Sequence, residues 1–342
     1  MKYIPYKILA LCLFLFSCKN EDWDFPNFDY QTVYFAYQYP VRTLTLGDDI
    51  FGTALDNEWK FKIVATTGGV YSSPQDVHLD FTVDESLVEG LMFDTDGSVV
   101  ETLPSEYYQL AAESIVIPKG EVTGGVEIQL NSGFFNDPKS IKNTYVLPLR
   151  ITQINNADSI LSGVPQADNP NRNNPNNWAV QPKDFVLYAL KYVNPWHGNY
   201  LRRGQDVIKS PGGSLDETVV RHADFVVNDE INSLHTISMS EVEFPLAFPG
   251  EDGENIPADL LLTFDEAGNC TVSALRNGYT ASGTGKFISK GEKNSWGNQD
   301  RDVLYLEYQI NLPEMQVETK DTLVVRDRGV GFETFTPLLM NN

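Results

Sequence analysis

Asp302-Val303-Leu304-Tyr305-Leu306-Glu307-Tyr308-Gln309-Ile310-Asn311-Leu312 alternates along its length. Leu304, Leu306, Tyr308, Ile310 and Leu312 fall on one face of an extended chain, and Val303, Tyr305, Glu307 and Gln309 on the other. A period of two over eleven residues is a strand with one face in a core and one in water. Around it lie further strand candidates at Ile256 to Phe264, Lys286 to Ser289 and Thr322 to Arg326. Asp265-Glu266-Ala267-Gly268-Asn269 supplies a hairpin loop between Thr263-Phe264 and Thr271-Val272. Consecutive hairpins of this kind suit an up-and-down barrel, because closure removes exposed strand edges. This barrel opens on Asn194-Pro195-Trp196-His197-Gly198-Asn199-Tyr200, with a Trp and a Tyr flanking a Gly. Trp196 and Tyr200 are accordingly expected in the core.

The amino-terminal half carries the same strand chemistry in shorter runs. Thr32 to Tyr37, Trp59 to Thr66, Val77 to Val83, Ser114 to Ile117, Gly125 to Leu130 and Tyr145 to Thr152 are rich in Val, Ile, Thr, Phe and Tyr. About seven or eight such runs in roughly 125 residues predict an immunoglobulin-like sandwich. Between the halves lies an Asn/Pro-rich stretch, Asp168-Asn169-Pro170-Asn171-Arg172-Asn173-Asn174-Pro175-Asn176-Asn177-Trp178, too polar to bury a core of its own. The expected organisation is all-β: sandwich over 31–154, linker over 155–184, barrel over 185–342. The opening Asn194 to Tyr200 of that barrel resembles the first strand of lipocalin-like (calycin-type) barrels, in which a Trp near a Gly plugs one end.

Residues 1–17 read as a secretory signal, with Lys2 and Lys7 before nine apolar residues, Ile8 to Phe16. That run is too short to cross a bilayer, which needs about 20 residues. Leu15-Phe16-Ser17-Cys18 looks like a bacterial lipobox, making Cys18 the lipidated first residue of the mature chain and 18–30 a tether. Trp23, Phe25, Phe28 and Tyr30 are expected to pin that tether to the sandwich. The acidic Glu21-Asp22-Trp23-Asp24 resembles the signal that sends lipoproteins to the cell exterior in Bacteroidota. The expected location is therefore the outer membrane, facing outward.

The chain carries a net charge of −22, and loss of Lys2 and Lys7 with the signal leaves −24. Such a surface repels phosphate backbones, which excludes nucleic acid as a partner, while neutral ligands remain suitable. Only Cys270 is left as a thiol after Cys12 departs and Cys18 takes lipid. One thiol makes neither an internal disulfide nor a Cys-based zinc site. The four histidines have no ligand-like spacing, Asp94-Thr95-Asp96-Gly97 reads as a turn rather than a calcium loop, and no cofactor is implied.

Two groups of segments resemble a known family. Thr102 to Leu110, Ile115 to Gly120, Gly125 to Leu130 and Tyr145 to Ile151 look like the amino-terminal β-sandwich domain, of unassigned function, on glycan-utilisation lipoproteins of gut Bacteroidota. Ser282 to Phe287, Gly291 to Asp302 and Asp327 to Val330 resemble the barrel-like domain that travels with it. The resemblance implies a surface lipoprotein that binds a glycan beside nutrient importers, which are candidate partners. It carries no catalytic residues over.

No nucleophile elbow is present, and Gly283-Thr284-Gly285-Lys286 lacks the spacing of a phosphate loop, so its glycines are read as a turn. Forty-seven acids make any sequence pairing of glycosidase carboxylates uninformative. Sugar binding asks for a flat aromatic flanked by amides and carboxylates. Trp296, among Asn294, Asp300 and Arg301, is the best local constellation, with Trp178 and Tyr279 as further ligand candidates; the alternative is that Trp296 caps the barrel. The leading expectation is a non-catalytic glycan-binding surface lipoprotein. The alternatives are a structural or adhesin-like subunit of an import complex, and a hydrolase whose carboxylates sequence does not reveal.

Overall fold

The computed structural model describes residues 27–38, 41–46, 54–210, 216–250 and 254–340. Two β-sheets pack face to face in the amino-terminal half. One runs, in spatial order, Ser159–Ile160, Thr32–Phe35, Lys60–Gly68, Thr123–Leu130, Tyr108–Leu110. The other runs Glu333–Phe335, Val41–Leu46, Phe185–Tyr192, Tyr145–Asn155, Val77–Val83, Ser114–Ile117. Alternation builds the core between them: Phe61, Ile63 and Ala65 point inward from one sheet, and Leu79, Leu147, Leu149 and Leu190 from the other. A five-residue helix, Ser132–Asn136, is capped by Asn131 and pushes Phe134 and Phe135 into one end of that core.

The second sheet is covered on its outer face as well. Val146, Phe185, Leu187 and Ala189 turn away from the sandwich core and pack with Leu87, Leu91, Phe93 and Val100 from the loops above. Phe335 joins them from the far end of the chain, its ring 4.5 Å from that of Phe93. Leu338–Leu339 then pairs with Leu91–Met92. After the barrel is complete, the chain therefore returns and straps itself across the sandwich.

These pairings correct the expected boundaries. Phe185–Tyr192 is not the first strand of the barrel; it is a central strand of the sandwich, hydrogen-bonded to Tyr145–Asn155 on one side and Val41–Leu46 on the other. Its continuous apolar run is what burial on both faces requires. Nor does 155–184 link two domains. Ser159–Ile160 extends the first sheet, Val164–Pro165 pairs with Trp178–Val180, and Arg172 forms a salt bridge of 2.9 Å with Asp184. Asparagine side chains close the turns here: Asn171 Oδ1 accepts from Asn173 N at 2.8 Å, and Asn177 Oδ1 from Asn171 N at 2.9 Å. Side-chain turns thus supply the order that apolar burial does not. The chain leaves the sandwich only after Tyr192.

The carboxy-terminal half is a closed barrel. Eight antiparallel strands follow in sequence order: Gly198–Lys209, Glu230–Thr236, Glu241–Phe244, Leu260–Phe264, Asn269–Ala274, Thr280–Glu292, Arg301–Asn311 and Gln316–Asp327. The last pairs with the first along eleven residue pairs, from Asn199↔Asp327 to Lys209↔Gln316. A further strand, Asp216–Arg221, pairs with the second half of Gly198–Lys209, where Glu230–Thr236 has not yet begun. Trp196 stacks on Phe264 with ring centroids 4.2 Å apart, and Tyr200 is fully buried, as the opening motif predicts. Leu304, Leu306, Tyr308 and Ile310 fill the interior, so the alternation of 302–312 reads the barrel face correctly.

Candidate functional site

The interior of the barrel is occupied by side chains, mostly apolar. Between Tyr200 and Ile208 along the first strand it holds a buried ionic network, beyond which Ile310 and Val317 make it apolar again. Arg202 Nε donates to Asp321 Oδ2 at 3.0 Å, and the Tyr308 hydroxyl donates to the same oxygen at 2.7 Å. Arg221 reaches across to Asp206 and to Asp321 Oδ1, and Thr319 Oγ1 donates to Asp206 Oδ1 at 2.7 Å. Burial pushes the Tyr308 phenol upward, so it remains a proton donor. Two arginines face two buried aspartates, with Glu230 3.6 Å from Arg202 at the rim, and such pairing is how charges persist in a core.

Glycines make room for this layer. A Cβ at Gly204 would lie 2.4 Å from Asp321 Oδ1, one at Gly283 2.4 Å from the Tyr308 Cβ, and one at Gly285 2.4 Å from Leu306 Cδ2. Gly283 and Gly285 sit inside the strand Thr280–Glu292, not in the turn that the sequence suggests. Side chains and backbone of the neighbouring strands lie against these bare positions. The outer surface answers with two adjoining depressions of about 420 and 460 Å³, which share Glu307 and Lys320.

The trough so formed is a regular grid, because cross-strand partners share a face. One rung is Ser282, Gln309, Glu318 and Val207; the next is Thr284, Glu307, Lys320 and Gln205; the third is Lys286, Tyr305, Thr322 and Arg203. Its charges balance locally. Lys320 lies 3.0 Å from Glu307, Lys209 2.8 Å from Glu318, and Lys286 donates to Ala267 O and Asn269 Oδ1. Tyr305 is the one aromatic of the grid. Its hydroxyl donates to Glu292 Oε1 at 2.6 Å, and that bond, with burial second, pushes its phenol up to about 12. On so acidic a protein, this is a neutral field of hydroxyls, amides and paired charges with a flat ring at one end.

Of the residues singled out in the sequence, Asn294, Trp296, Asp300 and Arg301 meet in one loop, whereas Trp178 and Tyr279 lie apart from it. Trp178 is buried in the sandwich, its Nε1 donating to Asn171 O at 2.9 Å, where it pins the asparagine-rich loop. Tyr279 and Trp296 lie at opposite ends of the strand Thr280–Glu292. The Tyr279 hydroxyl donates to Asp259 O, and its ring packs beneath the barrel core. Trp296 folds back onto the outer wall against Leu201, Val303 and Val324, while the Arg301 guanidinium lies 3.5 Å from its ring centroid. Trp296 is half-buried between this cluster and the Arg301 guanidinium, the cap on the barrel wall that the sequence offered as the alternative. Asp300 accepts the Asn294 N–H at 3.0 Å; that bond first, and Lys293 second, hold its carboxyl below the usual carboxylate range. This constellation closes its own loop. The grid was missed because its members are spaced two apart on four strands and meet only through register.

Other expectations concern chemistry at single residues. Cys270 is buried, and burial pushes its thiol up to about 12, which makes it inert. Asp96 closes the turn 94–97 by accepting from Ser98 N at 2.9 Å. Among the described residues, no group of three or more His, Cys, Asp or Glu is placed to hold a metal ion. Cys18 lies outside the described residues.

Comparison with known proteins matches this division of the chain. Residues 195–329 match a family model described as a domain of unknown function (DUF5627), and residues 28–158 one described only as a "-like, N-terminal domain". A solved structure from Bacteroides ovatus, titled as of unknown function, is 45% identical over 91% of this chain and 100% of its own, with a TM-score of 0.87. The chain belongs to that protein's family. The likeness to that structure extends over sandwich and barrel alike. More distant in fold are another Bacteroides ovatus protein of unknown function, 14% identical over 79% of this chain and 85% of its own with a TM-score of 0.41, and an auxiliary nutrient binding protein from Bacteroides thetaiotaomicron VPI-5482, 15% identical over 78% and 82% with a TM-score of 0.39. No curated protein matches the chain.

Proposed function

We propose that this chain is a lipid-anchored protein of the outer cell surface that captures a neutral glycan on the wall of its barrel without cleaving it. The observation that carries the reading is the trough itself. It is concave, charge-balanced on a molecule of net charge −22, and paved with side chains that give and take hydrogen bonds. A polysaccharide offers many hydroxyls and no charge, and a grid of Gln205, Gln309, Ser282, Thr284 and Glu307 answers such hydroxyls at several rungs at once. Tyr305 supplies the ring against which a pyranose face packs. The lipobox at Cys18 and the acidic residues behind it support anchoring and outward display.

The test is retardation of the lipid-free mature chain, carrying Cys18→Ser, in native gels cast with neutral plant and host polysaccharides, with chromatography of the same mixtures for released sugars. Retardation without product supports capture. Product release makes the chain a hydrolase, and mobility unchanged in every gel moves the weight to a structural subunit of an import complex.

A further inference from the structure

Phe28, Tyr30 and Tyr71 stand in water on the sandwich, 77%, 55% and 66% exposed. The tether aromatics were expected to pack down; the two that the structure describes do the opposite. They are not loose. Phe28 N donates to Gly69 O at 2.8 Å, and Tyr71 N to Asn27 Oδ1 at 2.8 Å, so the segment and the turn are locked side by side. Gly69 permits this approach, since a Cβ there would lie 2.2 Å from Tyr30 O at a φ of +89°. Phe28 and Tyr30, two residues apart, line a depression of about 370 Å³ together with Gln75, Asn156 and Asp158.

The polar floor of that depression is braced from behind. Buried Gln31 donates through its Nε2 to Ser73 Oγ at 3.3 Å, and Ser73 Oγ donates to Gln75 O at 2.6 Å. Asp158 Oδ2 accepts from Gln31 N at 2.6 Å, and Asp158 N donates back to Gln31 O at 2.9 Å. Asp158 lines the depression together with Phe28 and Tyr30, and its other oxygen, Oδ1, has no protein partner among the described residues. A braced acceptor, amides and two flat rings lining one depression are the chemistry that holds a sugar ring. Interfacial membrane surfaces pair their aromatics with Lys and Arg. Here, among the described residues, no lysine or arginine lines the depression, and Asp29 and Asp158 do.

We propose that Phe28 and Tyr30, with Gln75, Asn156 and Asp158, form a second carbohydrate-binding site, on the sandwich and separate from the barrel trough. It shares the ligand class of the proposed function and rests on that reading. The test uses the mature Cys18→Ser chain in native gels with starch, xylan, mannan and arabinan, followed by calorimetric titration with an oligosaccharide of whichever polymer retards it. Two double variants are compared with it: Phe28→Ala/Tyr30→Ala and, for the trough, Tyr305→Ala/Gln309→Ala. The sandwich variant is expected to bind about 5- to 150-fold more weakly, the range of an aromatic stacking platform. Its melting temperature is expected to stay unchanged, because its rings are exposed. Weakening by the sandwich variant with normal binding by the trough variant upholds this site and removes the trough from the proposed function. Normal binding by the sandwich variant with weakening by the trough variant overturns this site and leaves the proposed function standing. Failure of the parent chain to bind any of the four polymers overturns both. Ring-dependent binding to phosphatidylethanolamine/phosphatidylglycerol vesicles in place of sugar overturns the carbohydrate assignment.

Discussion

Phe335→Ala is the substitution whose effect the architecture fixes most sharply. This residue follows the barrel in sequence and is 1% exposed, yet its neighbours are Phe93, Phe185 and Leu187 of the sandwich. Truncating a buried Phe costs about 3 to 5 kcal/mol. The lost contact with Phe93 adds to this, since an aromatic pair contributes roughly 0.5 to 1.5 kcal/mol beyond area. A domain of ordinary stability has about 5 to 15 kcal/mol in all, so one tail residue accounts for a large share. The assay is hydrogen exchange monitored separately in Tyr145–Leu149 and in Leu304–Ile310. Exchange in the sandwich strand should accelerate by orders of magnitude while that in the barrel strand changes little. Removing everything after Gly331 should do more, because it also takes away the Lys191–Glu333 salt bridge of 2.6 Å and two short strands. Equal acceleration in both halves, or none in either, would refute the idea that the tail is a structural part of the sandwich.

Gly283→Ala should lower the barrel's melting temperature by several degrees in calorimetry, since the new methyl meets backbone Glu307 O and the Tyr308 Cβ at 2.4 Å. His197 accepts from Thr236 N through Nδ1 at 3.1 Å, and burial first, then Arg328, His235 and Lys191, hold its pKa down at about 4. Its folded pKa lies below the unfolded value of about 6.5. The unfolded chain therefore binds more protons, and stability is flat above about pH 6.5 and falls as pH drops from there toward 4. Denaturation midpoints of parent and His197→Gln chains across that window check it, with a shallower slope expected in the variant. Cys18→Ala should abolish incorporation of labelled fatty acid in the native host, and persistent label would place the anchor elsewhere.

The barrel was legible because its strands have one wet and one dry face: 302–312 and the loop Asp265–Asn269 say which side is which and where the chain turns. Where both faces are dry, that signal vanishes. Phe185–Tyr192 is apolar but for Lys191, so sequence marks it as a strand but not which sheet owns it. Glu333–Phe335 and Leu338–Leu339 are too short to show any period, and their long-range partners are invisible in the chain order. Gly283 and Gly285 look like turn residues for a sound local reason, and only the side chains of Tyr308 and Leu306 crossing above them reveal why glycine stands there. Trp296 was singled out for its polar neighbours, yet those neighbours, Arg301 above all, are what cover it.

The central claim is that a neutral glycan is held by the polar grid on the barrel wall. Calorimetric titration of the Glu307→Ala/Gln309→Ala chain, with an oligosaccharide that the parent chain binds, tests it most directly. Both side chains are outward on the wall, so folding should be unaffected. Loss of hydrogen bonds of this kind, one to a charged group, should weaken binding by about tenfold or more. Affinity equal to that of the parent chain would contradict the assignment of the trough as the glycan site.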